Sequence, residues 1–378
     1  MSARALFACA TLAASLVACR REPWVITGAR REESFEEGAR RVFREASERR
    51  EAQFRQAFYR ENRELARNSR LLSNRLDAFV SEGERLFVED APWRDVPAPT
   101  VNPLRFDPRS SRAADATRCA GCHHRGGLAG SGSRADLAFF DARGDHTSTA
   151  RQRLPKMLAG AALLELAARE APDRIPFGWA RGRPRTLRAM VEWSARTHLA
   201  ERPTDAEIDA LTTWIASVPA PIEADPPAQS LVERVSRGAA QFSQLRCDRC
   251  HAPSLNVNGT ILALSDGRSL DLRMQLSSDG QPPYRVHAYS DLREHDMGTT
   301  LAERDGQRVW VSAPLWGLAS RGPFLHDGRA TTVLEAIRAH DGEARSSREA
   351  FEQLAQGPAD LLAYLQSLDR APSFQGSP

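Results

Sequence analysis

The chain has 378 residues, 41% of them hydrophobic and 27% charged, enough to bury the cores of two domains. Its formal net charge of +3 comes from nearly balanced cations and anions, so nucleic acid is not an expected partner.

In chain order, Arg4 precedes an apolar run, ALFACATLAASLVA, too short to span a bilayer and flanked like a secretory signal. It ends in Leu16-Val17-Ala18-Cys19, similar to a bacterial lipobox in which Cys19 is acylated and becomes the mature N-terminus. An ordinary signal peptide with a small-residue cleavage site is the plainer alternative. Arg20, where an aspartate would retain the protein, resembles lipoproteins sent on to the outer membrane. The expected product is an exported bacterial lipoprotein, periplasm-facing or at the cell surface, held to the membrane by its lipid.

Residues 31–87 read as one or two long charged helices with a narrow apolar stripe through Phe35, Ala39, Val42, Phe43 and Ala46. A proline-rich stretch, 92–108, leads to CAGCH at 119–123. Helical periodicity follows at 153–170, 184–200 and 204–217, and SVPAPIEADPPAQS reads as a linker. Next come a helix, SLVERVSRGAAQFSQLRC, and CDRCH at 247–251. ILALSDGRSLDLRM has the form of a small β-hairpin around Ser265-Asp266-Gly267.

FLHDGRATTVLEAIRAH, residues 324–340, predicts a turn with Gly328 at positive φ, an N-cap from Thr331 or Thr332, and a helix. Val333, Ala336, Ile337 and His340 fall on one stripe, so His340 points inward. A buried imidazole needs a partner, either a backbone carbonyl in a plain core or a metal. In the closing PADLLAYLQSL, Leu361, Leu365 and Leu368 share a face.

Of the six cysteines, Cys9 leaves with the signal and Cys19 goes to lipid. The remaining four stand as Cys119/Cys122 and Cys247/Cys250, each pair followed at once by a histidine. C-x-x-C-H attaches c-type haem: two thiols add across the vinyl groups and the next histidine coordinates iron. A four-cysteine zinc site, or two redox or structural C-x-x-C pairs, would explain the cysteines but not His123 and His251. Two such pentapeptides in an exported chain point to two covalent haems. The fold expected is mainly α, with two cytochrome-c-like domains carrying one haem each, an N-terminal charged helical segment and a small β-hairpin in the second domain. Its divisions are a signal at 1–18, a tether and charged helices at 19–82, the first domain at 83–218, a linker at 219–232, the second domain at 233–370 and a tail at 371–378.

YSDLREHDMG (289–298), RCDRCHAPSL (246–255) and the long stretch 313–354 around HDG resemble the di-haem oxidoreductase family, some of whose members are labelled thiol oxidoreductase-like. GERLF (83–87) and FGWARGRPRTLRAMVEW (177–193) fit as well, so the likeness runs from about residue 83 to 369. A wider kinship extends to bacterial di-haem cytochrome c peroxidases and the di-haem enzymes that mature methylamine dehydrogenase. The resemblance implies a sixth ligand to the second haem fourteen residues after the HDG histidine. From His326 that is His340, which pairs with His251; Met297 in EHDMG is the alternative. His326 itself is expected near a haem edge or propionate.

The resemblance also implies that the first haem, on His123, is reactive and that Trp179 carries electrons between haems. The kin place a glutamine about ten and a glutamate about twenty residues beyond that tryptophan; here Ala189 and then His198-Leu199 stand there. His198 is therefore the candidate distal acid–base group, or else a sixth ligand that closes the site. His146 is a second candidate ligand, and His124 is poorly placed for that role.

The resulting expectation is a peroxidase-like di-haem oxidoreductase, with electrons entering at the second haem and passing to the first. The alternative is a non-catalytic electron carrier with both irons six-coordinate. The implied partners are a small redox protein or quinol-linked donor, peroxide or another small oxidant, and the membrane through the lipid anchor. Calcium is implied by kinship only.

Overall fold

The computed structural model describes residues 73–88, 119–123, 153–199, 203–221, 229–264, 267–277, 281–303, 305–319, 321–355 and 357–368. The signal with Cys19, the charged segment before residue 73, the proline-rich stretch, His124, His146 and the tail lie outside them. The described chain is mainly helical with small β-hairpins, an arrangement compatible with a cytochrome-c-like fold. No helix among the described residues is long and apolar enough to cross a membrane.

Two helix crossings organise it. Helix α1 (Ser73–Val88) packs on α4 (Asp205–Ser217), with α2 (Ala161–Arg169) and α3 (Leu187–His198) between them in sequence. Thr204 starts α4 through a reciprocal capping box with Glu207. At the crossing, a Cβ on Gly83 would stand 2.1 Å from the Ala210 carbonyl oxygen and 2.6 Å from the Trp214 Cβ, so only glycine admits this approach. Four residues on, Phe87 packs against Trp214 with centroids 4.4 Å apart.

The second crossing repeats the first. Helix α5 (Gln229–Gln244) packs on α8 (Ala359–Gln366). A Cβ on Gly238 would stand 2.0 Å from the Asp360 carbonyl oxygen and 2.7 Å from the Tyr364 Cβ. Phe242, again four residues on, packs edge-on to Tyr364 at 5.4 Å. The buried Asp360 carboxylate takes Arg237 at 2.7 Å and Arg234 at 3.2 Å from the facing helix. The loose internal repeat is thus a G-x-x-x-F helix crossed by a later helix that supplies an aromatic ring.

Between α5 and α8 in sequence come three antiparallel two-stranded ribbons: β1 (Leu255–Val257) with β4 (Tyr284–Val286), β2 (Ile261–Ala263) with β3 (Ser269–Asp271), and β5 (Glu294–Asp296) with β6 (Val309–Val311). The β2–β3 hairpin falls where the SDG turn placed it, with Leu262 opposite Leu270. Both leucines, with Leu255, Val257 and Val286, pack into the core of α1, α2 and α4, so that core is continuous across the proline-rich linker. Phe242, Phe324, Leu361, Leu365 and Leu368 form the second core.

Two local expectations change. Residues 153–160 are not helical: Pro155 lacks an N–H and Gly160 sits at φ 78°, so the helix begins at Ala161. The helix after HDG, α6 (Val333–Arg338), is capped by Thr332 with Glu335, and Ala339 is its C-cap. His340 therefore lies one residue beyond the cap rather than on the last helical turn. The chain continues through α7 (Arg345–Glu352) to α8.

Candidate haem sites

The two C-x-x-C-H segments fold alike. Each begins with a 3-10 turn (Cys119–Gly121 and Cys247–Arg249), and each histidine N–H returns to the carbonyl of its first cysteine, His123 to Cys119 and His251 to Cys247, both at 3.0 Å. This compact loop presents two sulfurs and an imidazole together. The four thiols are not bonded to one another, and burial pushes Cys119 and Cys247 up to about 12, so both are neutral.

The motifs open into separate cavities. Cys247, Cys250 and His251 line one of about 620 Å³, with Met297, His326 and His340. Cys119, Cys122 and His123 line another of about 450 Å³, with His198. Because the pairs line different cavities, they do not converge on a shared four-cysteine site. Trp179 lines both cavities. Its Nε1 donates to the Leu154 carbonyl at 2.8 Å, and Lys156 Nζ stands 4.3 Å above its ring. Burial, reinforced by Arg321, pushes the Lys156 ammonium down to about 7.

The imidazoles share one arrangement. His251 Nδ1 is 3.2 Å from the Tyr289 carbonyl, His340 Nδ1 2.7 Å from that of Ala336, and His123 Nδ1 3.0 Å from that of Lys156. Each ring thus places its Nδ1–H on a carbonyl and directs the lone pair of Nε2 elsewhere, the tautomer a metal ligand needs. Burial, then the nearby His340, pushes His251 down to about 4, and burial also lowers His340. Both are neutral, as ligation requires.

The His251 and His340 ring centroids are 6.3 Å apart and the planes tilted by 53°. Two axial imidazoles on one iron, each about 2 Å from metal to nitrogen and about 1 Å more to the ring centre, would stand about 6 Å apart. Val333, Ala336 and Ile337 line the same cavity as His340, so the stripe read from the sequence does face it. Met297 lines it too, and the structure brings both candidate sixth ligands together.

His198 is 7% exposed and meets Trp193 edge-on at 5.7 Å. His326, 2% exposed, is stacked on Trp310 at 3.9 Å with planes 14° apart, and its backbone carbonyl accepts Leu154 N–H at 2.7 Å. One functional candidate escaped the sequence reading. Glu303, between β5 and β6, lines the His123 cavity with a side chain 6% exposed. No motif marks it, because it lies 180 residues after His123 and reaches that cavity only through the fold.

Residues 218–368 match the sequence model of the family described as "Di-haem oxidoreductase, putative peroxidase". Over that segment the chain is similar to the di-haem oxidoreductases. No curated protein matches the sequence. Among solved structures, a hydrazine synthase chain of Kuenenia stuttgartiensis is 16% identical, with 77% of this chain and 87% of that one covered and a TM-score of 0.48. A MauG-like protein associated with microbial copper homeostasis is 17% identical, with 77% and 88% covered and a TM-score of 0.40. Haem is the cofactor that the family description implies.

Proposed function

We propose that this protein is a di-haem c-type oxidoreductase with peroxidase-like activity. The observation that carries the reading is that each C-x-x-C-H histidine opens into its own cavity while Trp179 lines both. Cys119, Cys122 and His123 would hold one haem, and Cys247, Cys250, His251 and His340 the other, with Met297 the alternative to His340. The carbonyl-bound Nδ1 atoms and the 6.3 Å His251–His340 separation fit such groups. When bound, haem supplies one-electron chemistry and, where a position on iron is open, a place for a small oxidant.

The chain's own residues then divide the work. His251 and His340 close the larger site. Electrons from a small redox protein or quinol-linked donor enter on that side and reach the His123 cavity by way of Trp179. His198 faces the His123 cavity, where it acts on protons or, in the second reading, occupies the sixth position and leaves a pure carrier. Cys19 as lipid anchor, export to the periplasm or cell surface, and outer-membrane tethering complete the proposal. No cluster of three or more metal-binding side chains occurs among the described residues to add support for calcium.

The test is to mix reduced holoprotein with hydrogen peroxide in a stopped-flow spectrometer. Peroxidase-like function predicts rapid oxidation with two electrons consumed per peroxide. A reduced spectrum unchanged by peroxide would contradict it and favour the carrier.

A further inference from the structure

The wall between the two cavities holds a buried charged cluster that the roles above leave unused. Glu303 comes from the segment between β5 and β6, where its carbonyl accepts Gly306 N–H at 2.9 Å and its N–H donates to Gln307 at 2.8 Å. This tight turn carries the carboxylate into the cavity that His123 and His198 line. Arg153 binds it in a two-pronged ion pair, with one contact at 2.9 Å. On the other side stands His326, which lines the larger cavity. Its Nε2 is buried without a hydrogen-bond partner and lies 3.5 Å from Glu303 Oε1. That separation is long for a hydrogen bond, yet small enough that a modest movement would complete one.

A buried imidazole nitrogen left 3.5 Å from a buried carboxylate carries a free-energy cost that a core would ordinarily remove. Burial raises the Glu303 carboxyl, but His326 and Arg153 outweigh it and hold the group below the usual carboxylate range. Glu303 is therefore a base at neutral pH. Trp310 contacts both partners, with the Arg153 guanidinium 4.9 Å from its ring centre and the His326 ring stacked on it.

We infer that Glu303, backed by His326, is the proton-transfer group of the His123 cavity, supplied by the second half of the chain where the first half has Ala189 and His198. The inference rests on the peroxidase-like reading for its substrate. Ionised Glu303 accepts one O–H proton of bound peroxide and returns it to the far oxygen as the O–O bond breaks, so that oxygen leaves as water. Two electrons from the redox partner and two protons drawn from solvent, relayed one at a time through His326 to Glu303, convert the remaining oxygen to a second water. Glu303 then takes over the proton-handling role proposed above for His198, and His198 lines the cavity beside it.

Glu303 meets Arg153 and His326, and His123, Lys156, Arg181, Arg183, His198 and Asp305 line the same cavity. His326 meets Glu303 and, at 4.0 Å, Asp327, which Arg329 holds at 2.6 Å.

The experiment follows the midpoint potential of the haem attached at Cys119 and Cys122 against pH, in wild type, Glu303→Gln and Glu303→Asp holoprotein, alongside the rate with hydrogen peroxide. Wild type should take up a proton on reduction, so its potential falls as pH rises. Glu303→Gln should flatten that slope and slow the peroxide reaction about 10²–10⁴-fold. Glu303→Asp should keep the slope and part of the rate. A Glu303→Gln protein of lowered thermal stability, but with wild-type slope and rate, would reduce Glu303 to a clamp for Arg153 and overturn the inference. Should Glu303→Gln fail to retain haem, His326→Gln takes its place, with a flattened slope expected and a wild-type slope contradicting. If wild type ignores peroxide while Glu303→Gln still flattens the slope, the relay stands and only the peroxidase reading falls.

Discussion

In the proposed reading four cysteines and three histidines hold the haems, and they differ in how far they can be read from the chain. The C-x-x-C-H loops are local: five residues fix the turn, and the histidine N–H closes on the first cysteine in both copies. Cys119→Ala and Cys247→Ala should each remove one covalent haem, seen as the loss of one haem mass from the intact protein; two haems on either variant would refute attachment at these sites. The inward position of His340 was legible by periodicity, but its position past the helix cap and its Nδ1 bond to Ala336 come only from the structure. His340→Met should leave that haem low-spin and raise its reduction potential, because a thioether favours ferrous iron more than imidazole does. A potential unmoved in both His340→Met and His340→Ala would exclude His340 as the ligand. Glu303 shows the limit of reading by residue. A lone glutamate has no spacing to recognise, and only tertiary packing brings it to His123.

Helices and turns were legible where local chemistry dominates. The Thr204–Glu207 and Thr332–Glu335 capping boxes start their helices at the expected places, and the SDG hairpin pairs in register. The stretch 153–160 misled because its apolar periodicity resembles a helix, whereas Pro155 and the left-handed Gly160 delay the helix until Ala161. The glycine crossings were not legible, since nothing in the sequence around Gly83 or Gly238 says that another helix backbone will lie against it. Gly238→Val makes that contact measurable. Its side chain must displace the Asp360 carbonyl, so the crossing should lose about 1–3 kcal/mol or more, read as a lower denaturation midpoint of the holoprotein. An unchanged midpoint would mean that α5 and α8 do not pack this closely.

At the scale of the molecule, the two halves share more than an interface. One core runs from α1 to the β2–β3 hairpin, Trp179 borders both cavities, and the second half lends Glu303 to the first cavity. Leu154, Lys156 and Trp179 line both cavities and contact one another there. Tethering also belongs here. Cys19→Ala should release the protein from the membrane fraction, and continued retention after a salt wash would count against the lipid anchor. The central claim is that one haem is closed by two histidines while the other keeps a position for an oxidant. The most direct measurement is the electron paramagnetic resonance spectrum of the oxidised holoprotein. The account predicts one low-spin signal from the His251–His340 site and one high-spin signal from the His123 site; two low-spin signals would contradict it.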